Sequence, residues 1–529
     1  MSNGGVFQII TNDGKQDRML NATALLNRRL TLIEEARAKD PSVSDPTPTL
    51  LDIEKTHILF MNASFKPFAA IGYEYQKVQS QSGSLAFGST NITFSLPTYG
   101  DFIADMAIHA TLAPPTWTTT GNVSGGRWCA YPGLRLLQRV EFAVSGNPLD
   151  AYTQDSAAMF NALNVSADSR AAFNRCVGQQ TPVDGKLPQY DETANAAITA
   201  TQPQTEVLMS VSNGAQTLKG TAVHGNLDMY IPLLFWFNRD PRLAVPSVAL
   251  PHANRYINVN LASLSQMFEV FLNAGSTVPV FSGGTVSTLE LWVNNIFVNP
   301  EVHDIFIKRI GFSLIRVHRE HVQQVTQSSG RVLLSNLKWP IECMFVGFRR
   351  TFYETNATTS AANNQMWHRF AHPSATSTAK LHGIVSTASG AAPATINITT
   401  WLRICASLTI SAHGVPLYNA AAGAMLDSYI PYRYSSTGVS TDKDGLGAMM
   451  INFCLFPGAY QPSGHINVSR AREFYLEYVS AYDESGSTYI IGSGGALQTG
   501  AATCTLVVVA SAINFLLISD GSAVLRYTT

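Results

Sequence analysis

Thirteen residues, PSGHINVSRAREF from Pro462 to Phe474, hold a serine, a histidine, two arginines and a glutamate. These are the side chains of acyl transfer, in which a hydroxyl needs a base within hydrogen-bond reach and a third group to orient that base. The spacing specifies no such relay. The stretch reads as a structural corner, with Pro462 and Gly464 suiting a type I turn and Asn467 and Ser469 bonding nearby amides. Arg470, with five donors, is suited to gathering carbonyls around the turn. Two histidine pairs raise metal binding. His318 and His321 follow the strand-like FSLIRV, where residues three apart point to opposite faces and cannot share an ion. His368 and His372 have helical i, i+4 spacing, but no glutamate lies between them and Pro373 ends any helix there. The cluster LLFWFNR (Leu233 to Arg239), with Phe235, Trp236, Phe237 and Asn238, has the look of a sugar-stacking platform. Such clusters are more often core. No phosphate-cradling glycine loop and no Gly-x-Ser-x-Gly elbow is present. No catalytic residue, cofactor or metal site is therefore expected.

The elements that hold these residues are mostly strands. RYINVNLAS alternates Ile257, Val259 and Leu261 against Asn258 and Asn260, and TLELWVNNIFV puts Leu289, Leu291, Val293 and Phe297 on one face. CASLTISAHGV and MMINFCLFPG behave alike, and CTLVVVASAINFLLI (Cys504 to Ile518) is β-branched and too short to span a membrane as a helix. Turn signals separate them at Ser145–Pro148, Asn238–Pro241 and Asp520–Gly521. One helix is expected, at 17–38, whose apolar stripe carries Met19, Leu26, Leu30 and Ile33. It is a candidate base-docking arm, followed by the stiff proline-rich linker KDPSVSDPTPT. The expected division is an arm at 1–50, a first β-rich half at 51–285 with a large insertion at about 151–222, and a second at 286–529 with insertions at about 354–400 and 433–446.

Bulk composition narrows the function. With 46% hydrophobic and only 13% charged residues, the 529-residue chain suits large all-β sandwiches. Its net charge of −1 lacks the basic footprint of a nucleic-acid packer, so no direct nucleic-acid contact is expected. The six cysteines are scattered without zinc or disulfide spacing, and the N-terminus shows no signal-peptide pattern. A secreted-type β-sandwich carbohydrate-binding protein or glycoside hydrolase, the alternative reading, commonly carries both a signal peptide and disulfides.

The corner and the aromatic cluster also carry a resemblance. PSGHINVSR is similar to the signature near the end of the second jelly roll in the major capsid proteins of nucleocytoplasmic large DNA viruses. FWFNRDPRLAVPSVALP, which includes Pro246, is similar to the signature of their first jelly roll. GGVFQIITNDGK, PEVHDIFIKRIGFSLIRVH, LKWPIECMFVGF and SAINFLLISDGSAVLRYTT resemble the African swine fever virus-like branch, while the regions 111–129 and 152–227 look shorter than in that relative. The resemblance implies an all-β double jelly roll and a non-enzymatic capsid protein of a large icosahedral double-stranded DNA virus. It further implies a homotrimeric, pseudo-hexagonal capsomer that tiles the outer capsid of the virion. Implied partners are other copies, minor capsid and penton proteins, inner-membrane-associated viral proteins at the base and a folding chaperone. Assembly is implied in the host cytoplasm, in a viral factory.

Overall fold

The computed structural model describes residues 31, 34–38, 71–82, 85–117, 123–179, 209–212, 215–218, 226–250, 253–272, 281–298, 311–351, 367–373, 377–379, 396–398, 401–434, 447–469, 473–482, 488–492, 503–519 and 522–527. Residue 31 and residues 34–38 are helical, within the expected arm. Met19, Leu26, Leu30 and Ile33 lie outside the described residues, as do Asp520 and Gly521.

The first half is built on one continuous antiparallel sheet that bends over itself. Its strands are β1 (Ile71–Ser82), β2 (Ile92–Ser95), β3 (Phe102–Ala113), β4 (Leu137–Val144), β5 (Asn147–Thr153), β6 (Leu227–Pro232), β7 (Arg255–Leu261) and β8 (Thr285–Val298). They run in the order β6-β3-β8-β1-β2-β7-β4-β5, with a short strand Val245–Pro246 added beside β3. The fold-over falls where β1 passes from β8 to β2 through an irregular register at Ser80 and Ser82. Such bulges bend a strand. Alternation makes the two faces: in β7, Arg255, Ile257, Val259 and Leu261 are buried and the residues between them are not. The hairpin from β4 to β5 turns on Ser145 (φ 51°) and Gly146 (φ 81°), two successive left-handed residues as a tight primed turn needs.

The second half is a sandwich of two sheets. One has the order β9-β16-β11-β14 and the other β10-β15-β12-β13. Here β9 is Gly311–Val325, β10 Ser329–Leu333, β11 Pro340–Arg350, β12 Cys405–Ala412, β13 Val415–Ala422, β14 Met449–Asn452, β15 Phe474–Ser480 and β16 Cys504–Ser519. The long run CTLVVVASAINFLLI is thus one strand, β16. It lacks polar alternation because both of its faces are covered. Cys504, Leu506, Val508 and Ala510 face the second half's own core, whereas Val507 and Val509 join the apolar cluster of the first half.

Three expectations are corrected. Strand β8 pairs with β3 and β1, so the change from one half to the other comes after Val298 and not at 285. The turn-rich segment before it had suggested the earlier cut. The stretch 151–222, expected as an exposed insertion, begins with two helices, α1 (Gln154–Leu163), buried along most of its length, and α2 (Ala167–Cys176), mostly exposed. Small residues Ala157, Ala158 and Ala162 let α1 pack closely, and their weak hydropathy hid it. Within 354–400, Trp367 and Phe370 are fully buried at the junction of the halves. Most of that stretch, and all of 435–446, lie outside the described residues.

Gly347 in β11 shows how tight the junction is. A Cβ there would come 2.4 Å from the Phe370 ring and 2.5 Å from Met159 Cε of α1. Gly347→Ala is expected to lower stability by about 1–3 kcal/mol through overpacking, measured by chemical denaturation.

Candidate functional site: the seam between the two halves

Polar links cross the seam at several points. Strand β5 ends at Thr153, which caps α1 by accepting from the Asp155 amide at 3.2 Å and donates its own hydroxyl to Glu320 Oε1 of β9 at 2.8 Å. Ser156 donates to the same carboxylate. Next to it on β9, the His318 amide donates to Asp150 Oδ1 at 2.9 Å, and the ring Nδ1 lies 3.1 Å from Oδ2. Asp155, in the first turn of α1 where a negative charge is favoured, receives Arg349 Nη1 of β11 at 2.5 Å. Arg349 also donates to the Trp367 carbonyl at 3.3 Å. The Trp367 indole donates to the Ala130 carbonyl at 2.6 Å, and Arg135 stacks 4.8 Å over its ring. Both Asp155 and Arg349 are buried.

His368, beside Trp367, is buried with both ring nitrogens unpartnered among the described residues. Burial, together with the positive charges of Arg369, Arg135 and Arg349, holds it well below the ordinary histidine value of 6.5. It is neutral in the folded chain. His372 sits on the short strand Ala371–Pro373, so the two histidines share no helix. His318 and His321 both lie on β9; His318 faces Asp150, and His321 Nε2 lies 3.4 Å from Gln323 Oε1. Among the described residues no group of three His, Cys, Asp or Glu side chains is placed to hold a metal ion.

The two signature segments approach each other at the seam. Phe235, Trp236 and Phe237 are buried in the first core, packed on Phe142. They form, with Asn238 and Arg239, a single helical turn, and Asn238 Nδ2 donates to the Ala104 carbonyl at 3.5 Å. Pro246 pairs opposite Phe102 of β3. Just after that turn, Arg242 stacks 4.1 Å over the ring of Tyr460, two residues before Pro462. Trp236, Arg239, Asp240, Arg242, Arg316 and Tyr460 line a cavity of about 490 Å³ between the halves. In the second segment, the tight turn falls at Pro457–Gly458 and not at Gln461–Gly464. Ser463 accepts from the Phe456 amide at 2.7 Å and so ties the corner to that earlier turn. Gly464 takes φ 140°, a conformation that side chains disfavour. Asn467 Oδ1 accepts from the Ser469 amide at 3.0 Å, and Arg470 lies outside the described residues.

Arg349, Asp155, Asp150, Glu320 and Arg316 were not singled out from sequence. The available signal was position: in so weakly charged a chain, charges inside apolar strands such as IECMFVGFRR mark buried pairs. Burial pushes the Cys405 and Cys454 thiols up to about 12, away from nucleophilic chemistry.

Two tandem β units fused along a buried seam define the double jelly roll class. The solved capsid of PBCV-1 shares that fold, with a TM-score of 0.60 at 20% identity over 89% of this chain and all of that one. The family follows from sequence: residues 70–299 match the major capsid protein N-terminus, residues 297–524 match the large eukaryotic DNA virus major capsid protein, and the chain belongs to this family. It is 32% identical to hexon protein p72 of African swine fever virus, with 100% of both chains covered. That alignment spans 670 positions against 529 residues here, so the relative carries segments this chain lacks. The chain is also 25% identical to the major capsid protein of Paramecium bursaria Chlorella virus 1 over 85% of its length and 90% of the relative's. The Faustovirus major capsid protein structure matches at TM-score 0.67 and 32% identity, over 96% of this chain and 100% of that one.

Two outcomes are expected at the seam. Arg349→Met leaves the Asp155 carboxylate buried and unpaired, and should cost about 3–5 kcal/mol in denaturant unfolding, while adding Asp155→Leu should recover much of the loss. Stability should also fall from about pH 7 to about pH 5, because the unfolded chain protonates His368 in that range and the folded chain does not. His368→Gln should make that fall shallower, read from melting temperature against pH.

Proposed function

We propose that the chain is the non-catalytic building block of the outer shell of a large icosahedral DNA virus, working as a homotrimeric capsomer. The observation that carries this reading is the seam. Buried ion pairs and a shared apolar cluster make each chain a two-part block with two similar sides. Three such blocks around an axis present six similar sides, the shape that tiles a hexagonal lattice. The family gives self-association in a shell as the common role.

Surface properties support the reading. Among the described residues strand β13 is a sheet edge, paired with β12 alone, and its sequence VPLYNAAA carries no charge. Val415, Leu417, Met425, Tyr429 and Tyr432 stand exposed on or beside it, with Tyr432 at 83%. Solvent-facing edges normally carry charges that block pairing, and a patch of this kind suits contact with another copy. A net charge of −1 lets many identical chains pack without strong mutual repulsion. Minor capsid, penton and inner-membrane-associated proteins would be met at the base and vertices of the shell, with assembly in the host cytoplasm and a chaperone as folding partner.

Light scattering after size exclusion checks the oligomer. A stable species at three times the 57.3 kDa chain mass is expected. A well-folded species at the single-chain mass would contradict the reading.

A further inference from the structure

The cavity at the seam holds an uncompensated positive charge. Three arginines and one carboxylate line it. Arg242 is engaged by Asp240, with Nη2 2.7 Å from Oδ2. Arg316 is engaged by the fully buried Glu342, with Nε 2.6 Å from Oε2, and donates also to the Ala459 carbonyl. The remaining cation, Arg239, makes no hydrogen bond and no direct ion pair among the described residues; its guanidinium lies 5.0 Å over the Phe160 ring, where crowding by the surrounding chain and the charge of Arg316 pull its pKa down and the buried Glu342 only partly offsets them. In a chain where the other seam cations named above are paired or stacked, this one is left facing an open volume of about 490 Å³. That volume lies in the range of small-ligand pockets, roughly 300–1,000 Å³.

We infer that this cavity is an oxyanion-binding site, with Arg239 as the primary ligand-binding residue. A guanidinium lying over an aromatic ring spends none of its N–H donors on that contact. That geometry matches two oxygens of a carboxylate or phosphate at once. Arg316 and Arg242 raise the local potential without being consumed, since each keeps its own acid. Asp240 opposes the anion and sets an upper limit on affinity. The oxyanion could be carried by an acidic side chain of a neighbouring protein or by a free phosphate compound. The recognition chemistry is the same for both, and binding there would clamp the first-half turn Trp236–Arg239 to the second-half loop at Tyr460.

Titration calorimetry on the purified full-length chain at low ionic strength, with inorganic pyrophosphate in one arm and glutarate in the other, tests the inference. At least one anion is expected to bind saturably at one site per chain, and the better of the two identifies the source. Arg239→Met should weaken that binding about tenfold or more, with Arg239→Lys between the two. Asp240→Asn should tighten it. Arg239 makes no hydrogen bond or direct ion pair among the described residues, so the variant's mass and melting temperature without anion should stay close to those of the parent. Absence of binding in both arms, or binding that Arg239→Met leaves unchanged, would overturn the inference.

Discussion

The structure depends on two adjacent strands that have no solvent face. Strands β11 and β16 bury one side in the core of the second half and the other against the first half. Strands in that position must be largely apolar on both phases of the pleat, which is why β16 reads, over Cys504 to Ile518, as an apolar run interrupted only at Thr505, Ser511 and Asn514. They must also leave room for what packs on them. Gly347 has no side chain because Met159 and Phe370 already occupy that space.

A doubly covered pair of strands makes each polar group at the junction expensive unless it is paired. Among the groups described at the seam, the acids are satisfied across it: Asp150 by His318, Asp155 by Arg349, Glu320 by Thr153 and Ser156. Such pairs add little net stability over apolar packing, but each demands one geometry. They fix the relation between the halves, which a block meant for a lattice requires. His368 is an exception, buried with neither ring nitrogen partnered among the described residues and held neutral, and it makes the same junction sensitive to acid.

The strand content, the alternation of β7 and the buried identity of Phe235, Trp236 and Phe237 were legible from residue pattern alone. So was β16 as a strand, since fifteen mostly apolar residues rich in β-branched types suit neither a spanning helix nor a surface. The boundary at 285 failed because a turn-rich segment lies inside the first half, before its strand β8. The helices α1 and α2 were missed because alanine and polar residues give too weak a stripe. The seam pairs were beyond sequence reasoning for a different reason. Asp155 and Arg349 are 194 positions apart, and no local pattern links them. The cavity likewise joins Arg239 to Arg316 and Tyr460 only through the fold.

Electron microscopy of the purified, assembled chain tests the central claim most directly. Single-particle averages should show a three-fold particle with a six-sided outline, in which the two lobes of each chain keep one fixed relation. Particles consisting of single chains, or of two lobes that vary in their mutual orientation from image to image, would contradict it.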